Sequence, residues 1–166
     1  MPETSNLERI VSVFLRHQVE FIIIGGQAET LMGSPRVTYD TDLCYRRSES
    51  NLERLANALS EIKPSLRGAP ADLPFTIDAR ALALGSNFTL STPAGDLDLI
   101  GWVEPLGAYE ALIKNSETYE VCGTHVRSIG LDDLIRIKQH ISRPKDRDSL
   151  FQLLAIKNLR NEGSAS

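Results

Sequence analysis

Leu7, Ile10, Val11 and Phe14 recur at the three- and four-residue intervals of one helical face, behind Ser5 and Glu8 in capping-box spacing, and predict an amphipathic helix over residues 5–19. The period then changes. Glu20 to Ile24 is a short β-rich run, and the continuous apolar character of its last four residues fits a strand buried on both faces. Gly25 and Gly26 end that run, Gln27 to Met32 predicts a short helix closed by Gly33, and Ser34 with Pro35 marks a turn. Arg36 to Tyr45, RVTYDTDLCY, alternates closely enough to predict a strand that carries two aspartates.

Ser50 and Glu53 have the spacing of a second capping box, and Leu52, Leu55, Leu59 and Ile62 repeat at helical intervals until Lys63 and Pro64. Residues 64–74 are rich in Pro, Gly and polar residues and read as an exposed loop over the active face. Asp78 is placed to cap a short helix ending at Leu84, and NFTLST (87–92), PAG and DLDLIGWV (96–103) predict a hairpin. A helix over 107–114, a hairpin over 118–129 and a helix over 131–141 follow. The last predicted helix, 144–159, turns Leu150, Phe151, Leu153 and Leu154 to the core. The alternation of strands and helices predicts a mixed α/β (α+β) fold, with one domain over residues 1–160 and a frayed tail at 161–166.

Composition supports one ordinary core: 166 residues, 42% hydrophobic and 24% charged, with no bias towards fibre or disorder. The longest apolar runs, 21–24 and 99–103, are far too short to span a bilayer. The polar, acidic start is the wrong order for a signal peptide, and a cytoplasmic location is expected. Cys44 and Cys122 lack any spacing that suggests a disulfide framework or zinc site, and both read as reduced. A net charge of −4 argues against sequence-blind binding to nucleic acid, which needs a positive surface.

The candidate chemistry lies in the acids. Side chains two apart on a strand share a face, so Asp40 and Asp42 project together, and two neighbouring carboxylates in a half-buried strand need a cation between them. Oxygen-only ligands suit Mg2+. Asp98, between Leu97 and Leu99, is the third acid, preferred over Asp96 at the turn. Three carboxylates on adjacent strands can hold two Mg2+ ions, with Asp98 as general base. Gly25 and Gly26, between strand and helix, let backbone amides approach a phosphate. Arg36 and Thr38, at even spacing before Asp40, are placed to contact phosphate oxygens. Phosphate added to Thr38 would bring about two negative charges among the carboxylates and block a triphosphate.

IIIGGQAETLMGSPRVTYDTDL resembles the opening motif of the polymerase-β-like nucleotidyltransferase superfamily, a glycine pair followed by an aspartate pair on the next strand. Within it the chain is most similar to the AbiEii and MenT-type nucleotidyltransferase toxins, through GGxA, RxTxDxD and later lysine and aspartate motifs. The resemblance implies a mixed, twisted sheet with helices packed mainly on one side. It also implies that Gly25 and Gly26 hold a nucleoside triphosphate, that Asp40, Asp42 and Asp98 bind metal, and that Lys138 binds the triphosphate. Asp146 matches the downstream acidic motif and is thereby implied to take part in nucleotide binding, with Asp148 its close competitor for that match. The implied reaction moves a nucleoside monophosphate from an NTP to an acceptor hydroxyl, with the tRNA 3′ end as acceptor, pyrophosphate as product and a cognate antitoxin as partner. Gly26 stands where many members carry serine, as it does in relatives that modify antibiotics. The alternatives are therefore a small-molecule (antibiotic) or protein nucleotidyltransferase, or an inactive NTP-binding module.

Arg136, Lys138, Arg143, Lys145, Arg147, Lys157 and Arg160 concentrate basic charge near the C-terminus, where it can meet triphosphate or follow an RNA backbone, or else form a solvated face of ion pairs. His17, His140 and Trp102 read as structural, and core packing is expected of Tyr39 and Tyr45.

Overall fold

A computed structural model of the chain describes residues 4–70, 72–73, 75–141 and 143–164. Helix α1 (Asn6–Arg16) leads into strand β1 (Phe21–Ile24), and the glycine pair opens the short helix α2 (Gly25–Leu31). Strand β2 (Thr41–Tyr45), helix α3 (Glu49–Ile62), strand β3 (Ser65–Leu66) and helix α4 (Ala79–Leu84) follow. The hairpin of β4 (Asn87–Thr92) and β5 (Gly95–Ile100) precedes α5 (Tyr109–Ile113). A second hairpin, β6 (Glu117–Val121) and β7 (Thr124–Ser128), leads to α6 (Leu131–Ile141) and α7 (Pro144–Ser164).

Among the described residues the strands form one mixed sheet in the order β3-β4-β5-β2-β1-β7-β6. The all-apolar β1 lies near its middle, antiparallel to β2 and parallel to β7, with all four residues buried. That burial is why the run is unbroken rather than alternating. Leu43 of β2 and Leu97 and Leu99 of β5 are fully buried beside it, with Phe14 of α1 and Leu55 and Leu59 of α3. Ser5 caps α1 as its spacing predicted, its Oγ accepting from the Glu8 backbone N–H.

Several expectations are corrected. Residues 36–40 are not strand: the carbonyls of Thr38 and Asp40 accept from Gln27 Nε2 and that of Tyr39 from Asn6 Nδ2, so side chains replace the ladder. Asp40 therefore lies just outside β2. Tyr39, expected in the core, is 74% exposed on that segment, while Tyr45 is fully buried. The cap of α3 is Ser48 rather than Ser50, because Ser48 Oγ reaches the Asn51 N–H while Asn51 itself ties the chain to Glu20 and Arg46. The stretch expected as loop from 64 contributes an edge strand, β3, paired with β4, while Ala71 and Pro74 lie outside the described residues. Helix α7 runs through 161–164, which were expected to fray; Ala165 and Ser166 lie outside the described residues. Of the four residues expected to face the core, Leu153 is fully buried and Leu150 packs against the core, whereas Phe151 (73% exposed) and Leu154 face water. The helix rests against α6 along one narrow stripe, which only part of a helical turn can fill.

Candidate active site

Sheet register brings the acids together. Ile24 lies opposite Asp42 across the antiparallel pair, and Asp42 lies opposite Asp98 across the parallel pair of β2 and β5. Directly paired residues on neighbouring strands project from the same face, so the two carboxylates are immediate neighbours. Gly25 follows β1 with φ +68°, and a Cβ there would overlap Asp42 Oδ2. Both the left-handed turn and the close carboxylate require glycine at this position. Gly26 is backed by Thr38, whose side chain a Cβ at residue 26 would crowd. Thr30 Oγ1 donates to the carbonyls of Gly26 (3.0 Å) and Arg36 (3.2 Å), so the loop carrying Thr38 and Asp40 is laced to α2.

The electrostatics mark Asp42. Burial first, then the charge and hydrogen bond of Asp98 and the charge of Asp40, push its carboxyl up to about 7, against the opposing pull of Arg67. Arg67, from the segment after β3, donates to Asp98 Oδ1 (2.8 Å) and to the Leu90 carbonyl (2.9 Å), and its Nε lies 3.3 Å from Asp96 Oδ2. This cation was missed in the sequence, where a lone arginine in a Pro- and Gly-rich stretch has no spacing to identify it. Asp40 is exposed, and among the described residues no three His, Cys, Asp or Glu side chains close around one point. Asp42 and Asp98 fit a hard divalent cation nevertheless: their oxygens are the donors Mg2+ prefers, and the burial and neighbouring carboxylates that push Asp42 up to about 7 are what a cation between the two would offset.

A cleft of about 370 Å3 runs from Gly25 and Asp42 along α6, lined by Leu134, Lys138 and Arg143, with Trp102 on its wall. Lys138 thus shares the cleft with Asp42. Its Nζ lies 3.2 Å from Asp146 Oδ1 and 3.7 Å from Glu29 Oε2. Asp146 is buried beneath it rather than facing the cleft, and also accepts from Arg143 Nε at 2.8 Å. Burial alone would raise the Asp146 carboxyl; the hydrogen bonds and charges of Arg143 and Lys138 outweigh that and hold it low. Asp148, its competitor for the motif, is exposed on α7. Arg36 is not among the residues lining the cleft: its Nη1 donates to Ser149 Oγ of α7 (2.6 Å) and lies 3.7 Å from Glu29 Oε2. The basic C-terminal residues are mostly paired, Arg136 with Asp133, Lys157 with Asp132 and Arg160 with Glu117.

No protein-family model and no curated protein matches the chain. Solved structures do. The lincosamide antibiotic adenylyltransferase LnuA, bound to lincomycin, superposes with a TM-score of 0.61 at 14% identity, over 91% of this chain and 96% of that one. ANT(2″)-Ia in complex with adenylyl-2″-tobramycin gives 0.56 at 14% identity, over 96% and 95%. An antigenic nucleotidyltransferase-like protein from Paracoccidioides brasiliensis gives 0.52 at 19% identity, over 94% and 78%. The chain therefore has the fold of these nucleotidyltransferases, a mixed α/β fold as the sequence pattern predicted. Among the described residues no helix is long and apolar enough to cross a membrane.

Proposed function

We propose that the chain is a Mg2+-dependent nucleotidyltransferase that moves a nucleoside monophosphate from an NTP to an acceptor hydroxyl and releases pyrophosphate. The observation that carries this reading is the pairing of Asp42 with Asp98 across β2 and β5, one residue from a glycine turn that leaves no room for a side chain. Asp40, Asp42 and Asp98 would hold two Mg2+ ions, which when bound neutralise phosphate charge and acidify the attacking hydroxyl. The backbone at Gly25 and Gly26 receives the triphosphate, and Thr38 packs against it. Lys138, on the cleft wall, balances the charge of the departing pyrophosphate. Asp98 takes the acceptor's proton once Arg67 yields its Oδ1. Asp146 acts through Lys138 rather than on the nucleotide itself. Catalysis is positioning and charge balance, with no covalent enzyme intermediate.

The proposed acceptor is the 3′ end of tRNA, with growth arrest as the outcome and a cognate antitoxin as partner, on the strength of the GGxA and RxTxDxD motifs. Exposed Lys145 and Arg147 at the start of α7 are placed to follow its backbone. A small antibiotic acceptor is the second reading, favoured by the likeness in fold to two antibiotic-modifying adenylyltransferases and by the ion pairs that occupy most of the C-terminal basic residues. The test is incubation with Mg2+ and each radiolabelled NTP, with total tRNA, aminoglycosides, lincosamides and the protein itself as acceptors. Asp40→Ala and Asp42→Ala are expected to lower transfer by at least about a thousandfold while the fold persists. Activity surviving in both variants would overturn the site. Label in a drug or in protein instead of tRNA would keep the chemistry and replace the acceptor.

A further inference from the structure

Glu29 is the most deeply buried acid among the described residues, with no exposed surface, and it lies in the middle of the short α2 with neither carboxylate oxygen hydrogen bonded. A charged group is not kept in such a place without compensation. The compensation comes from two cations on different parts of the chain: Lys138 Nζ of α6 and Arg36 Nη1 of the following loop each lie 3.7 Å from the same oxygen, Oε2. On the other side of Lys138, buried Asp146 takes its ammonium at 3.2 Å and the Arg143 guanidinium at 2.8 Å. Arg36 closes the circuit by donating to buried Ser149 on α7.

The cluster thus sets two carboxylates, Glu29 and Asp146, against three cations, Lys138, Arg36 and Arg143. One positive charge is left over. Of the three cations, Lys138 and Arg143 line the cleft that reaches Gly25 and Asp42, so part of the cluster's positive charge faces it. Lys138 keeps only 11% of its side-chain surface exposed, and its long stem is held at the tip from both sides rather than swinging in solvent. Of those two holds, the one from Glu29 comes from the helix that begins with the glycine pair.

We propose that Glu29 is the positioning residue for the triphosphate-binding cation, fixing the Lys138 ammonium relative to the Gly25–Gly26 turn so that both meet one polyphosphate. This rests on the reading of Lys138 as a triphosphate ligand. Glu29 never touches the nucleotide. Its carboxylate acts by holding Lys138 and Arg36 at one point, and so ties α2 to α6 and, through Arg36 and Ser149, to α7. Neutralising it leaves Lys138 to Asp146 alone and releases the ammonium from the helix that begins with the glycine turn.

The test is a double-mutant cycle read by calorimetric binding of inorganic tripolyphosphate in Mg2+, with steady-state kinetics on the NTP alongside. Lys138→Ala and Glu29→Gln are each expected to weaken tripolyphosphate binding by about tenfold, and Glu29→Gln to add less than about twofold when Lys138 is already alanine. In the kinetics, Glu29→Gln lowers kcat/KM for the NTP by about tenfold or more, and adds less than about twofold to the loss already present in Lys138→Ala. Equal losses from Glu29→Gln in both backgrounds would show that it acts only on the fold and would overturn the inference. Full affinity in Lys138→Ala would overturn the reading of Lys138 and this inference with it. Full affinity in Glu29→Gln beside a weakened Lys138→Ala would overturn the inference alone. Should Glu29→Gln fail to fold, Glu29→Asp keeps the charge and retracts it by one methylene. That variant must then show the same non-additivity with Lys138→Ala at smaller amplitude, and wild-type affinity in it would overturn the proposal.

Discussion

Asp42 carries two opposed demands, and its titration should expose them. Its carboxyl, raised to about 7 by burial and by Asp98 and Asp40, holds a proton in the folded chain at pH values where the unfolded chain has lost it. The folded state therefore binds more protons between the ordinary carboxylate range and about 7, and stability falls as pH rises through that window. Asp42→Asn removes the burdened charge. In metal-free buffer containing a chelator, the variant is expected to match the wild type near about pH 4 and to exceed it by about 2 kcal/mol near about pH 8, while losing the proposed transfer. Urea denaturation at the two pH values checks this, and a parallel pH dependence in both proteins would contradict the origin assigned to the shift. Asp40 and Asp42 were legible in the sequence as a DxD pair. Arg67 and Glu29 were not, because an isolated charge acquires meaning only from what the fold sets beside it.

Among the elements, β1, β4, β5, the second hairpin and α6 follow the hydrophobic pattern closely, since each has a face or a whole surface to bury. The misread stretches are those whose backbone groups are satisfied by side chains. Residues 36–40 alternate like a strand, yet Gln27 and Asn6 take their carbonyls. Helix α7 was misjudged in orientation, since Phe151, Leu153 and Leu154 are nearly contiguous and periodicity alone cannot choose among them. Leu153→Ala, at a fully buried position, is expected to cost about 3 kcal/mol, whereas Phe151→Ala, mostly exposed, should stay within about 0.5 kcal/mol. Chemical denaturation of both variants checks this, and a larger loss from Phe151→Ala would reverse the assigned face.

At the scale of the molecule, charge separates the competing acceptors. The chain is acidic overall, and among the described residues Lys145 and Arg147 are exposed cations of the C-terminal region without an ion pair. If tRNA is the acceptor, Lys145→Glu with Arg147→Glu is expected to lower its labelling by about tenfold and to flatten the salt dependence. Labelling of a small acceptor should be unchanged, and unaltered tRNA labelling in the variant would remove α7 from the RNA path. The sequence by itself determined the mixed α/β pattern and the glycine turn after a buried strand, and it singled out Asp40, Asp42 and Asp98 as candidate acids, because these follow from local period, backbone freedom and residue chemistry. Tertiary structure alone decided that Asp42 faces Asp98 in register, that Arg67 reaches Asp98 from an edge segment, and that Glu29 holds Lys138 and Arg36 at one oxygen. Apart from Glu29 and Arg36, those relations join residues tens of positions apart, and no local period records which charges a fold will bury together.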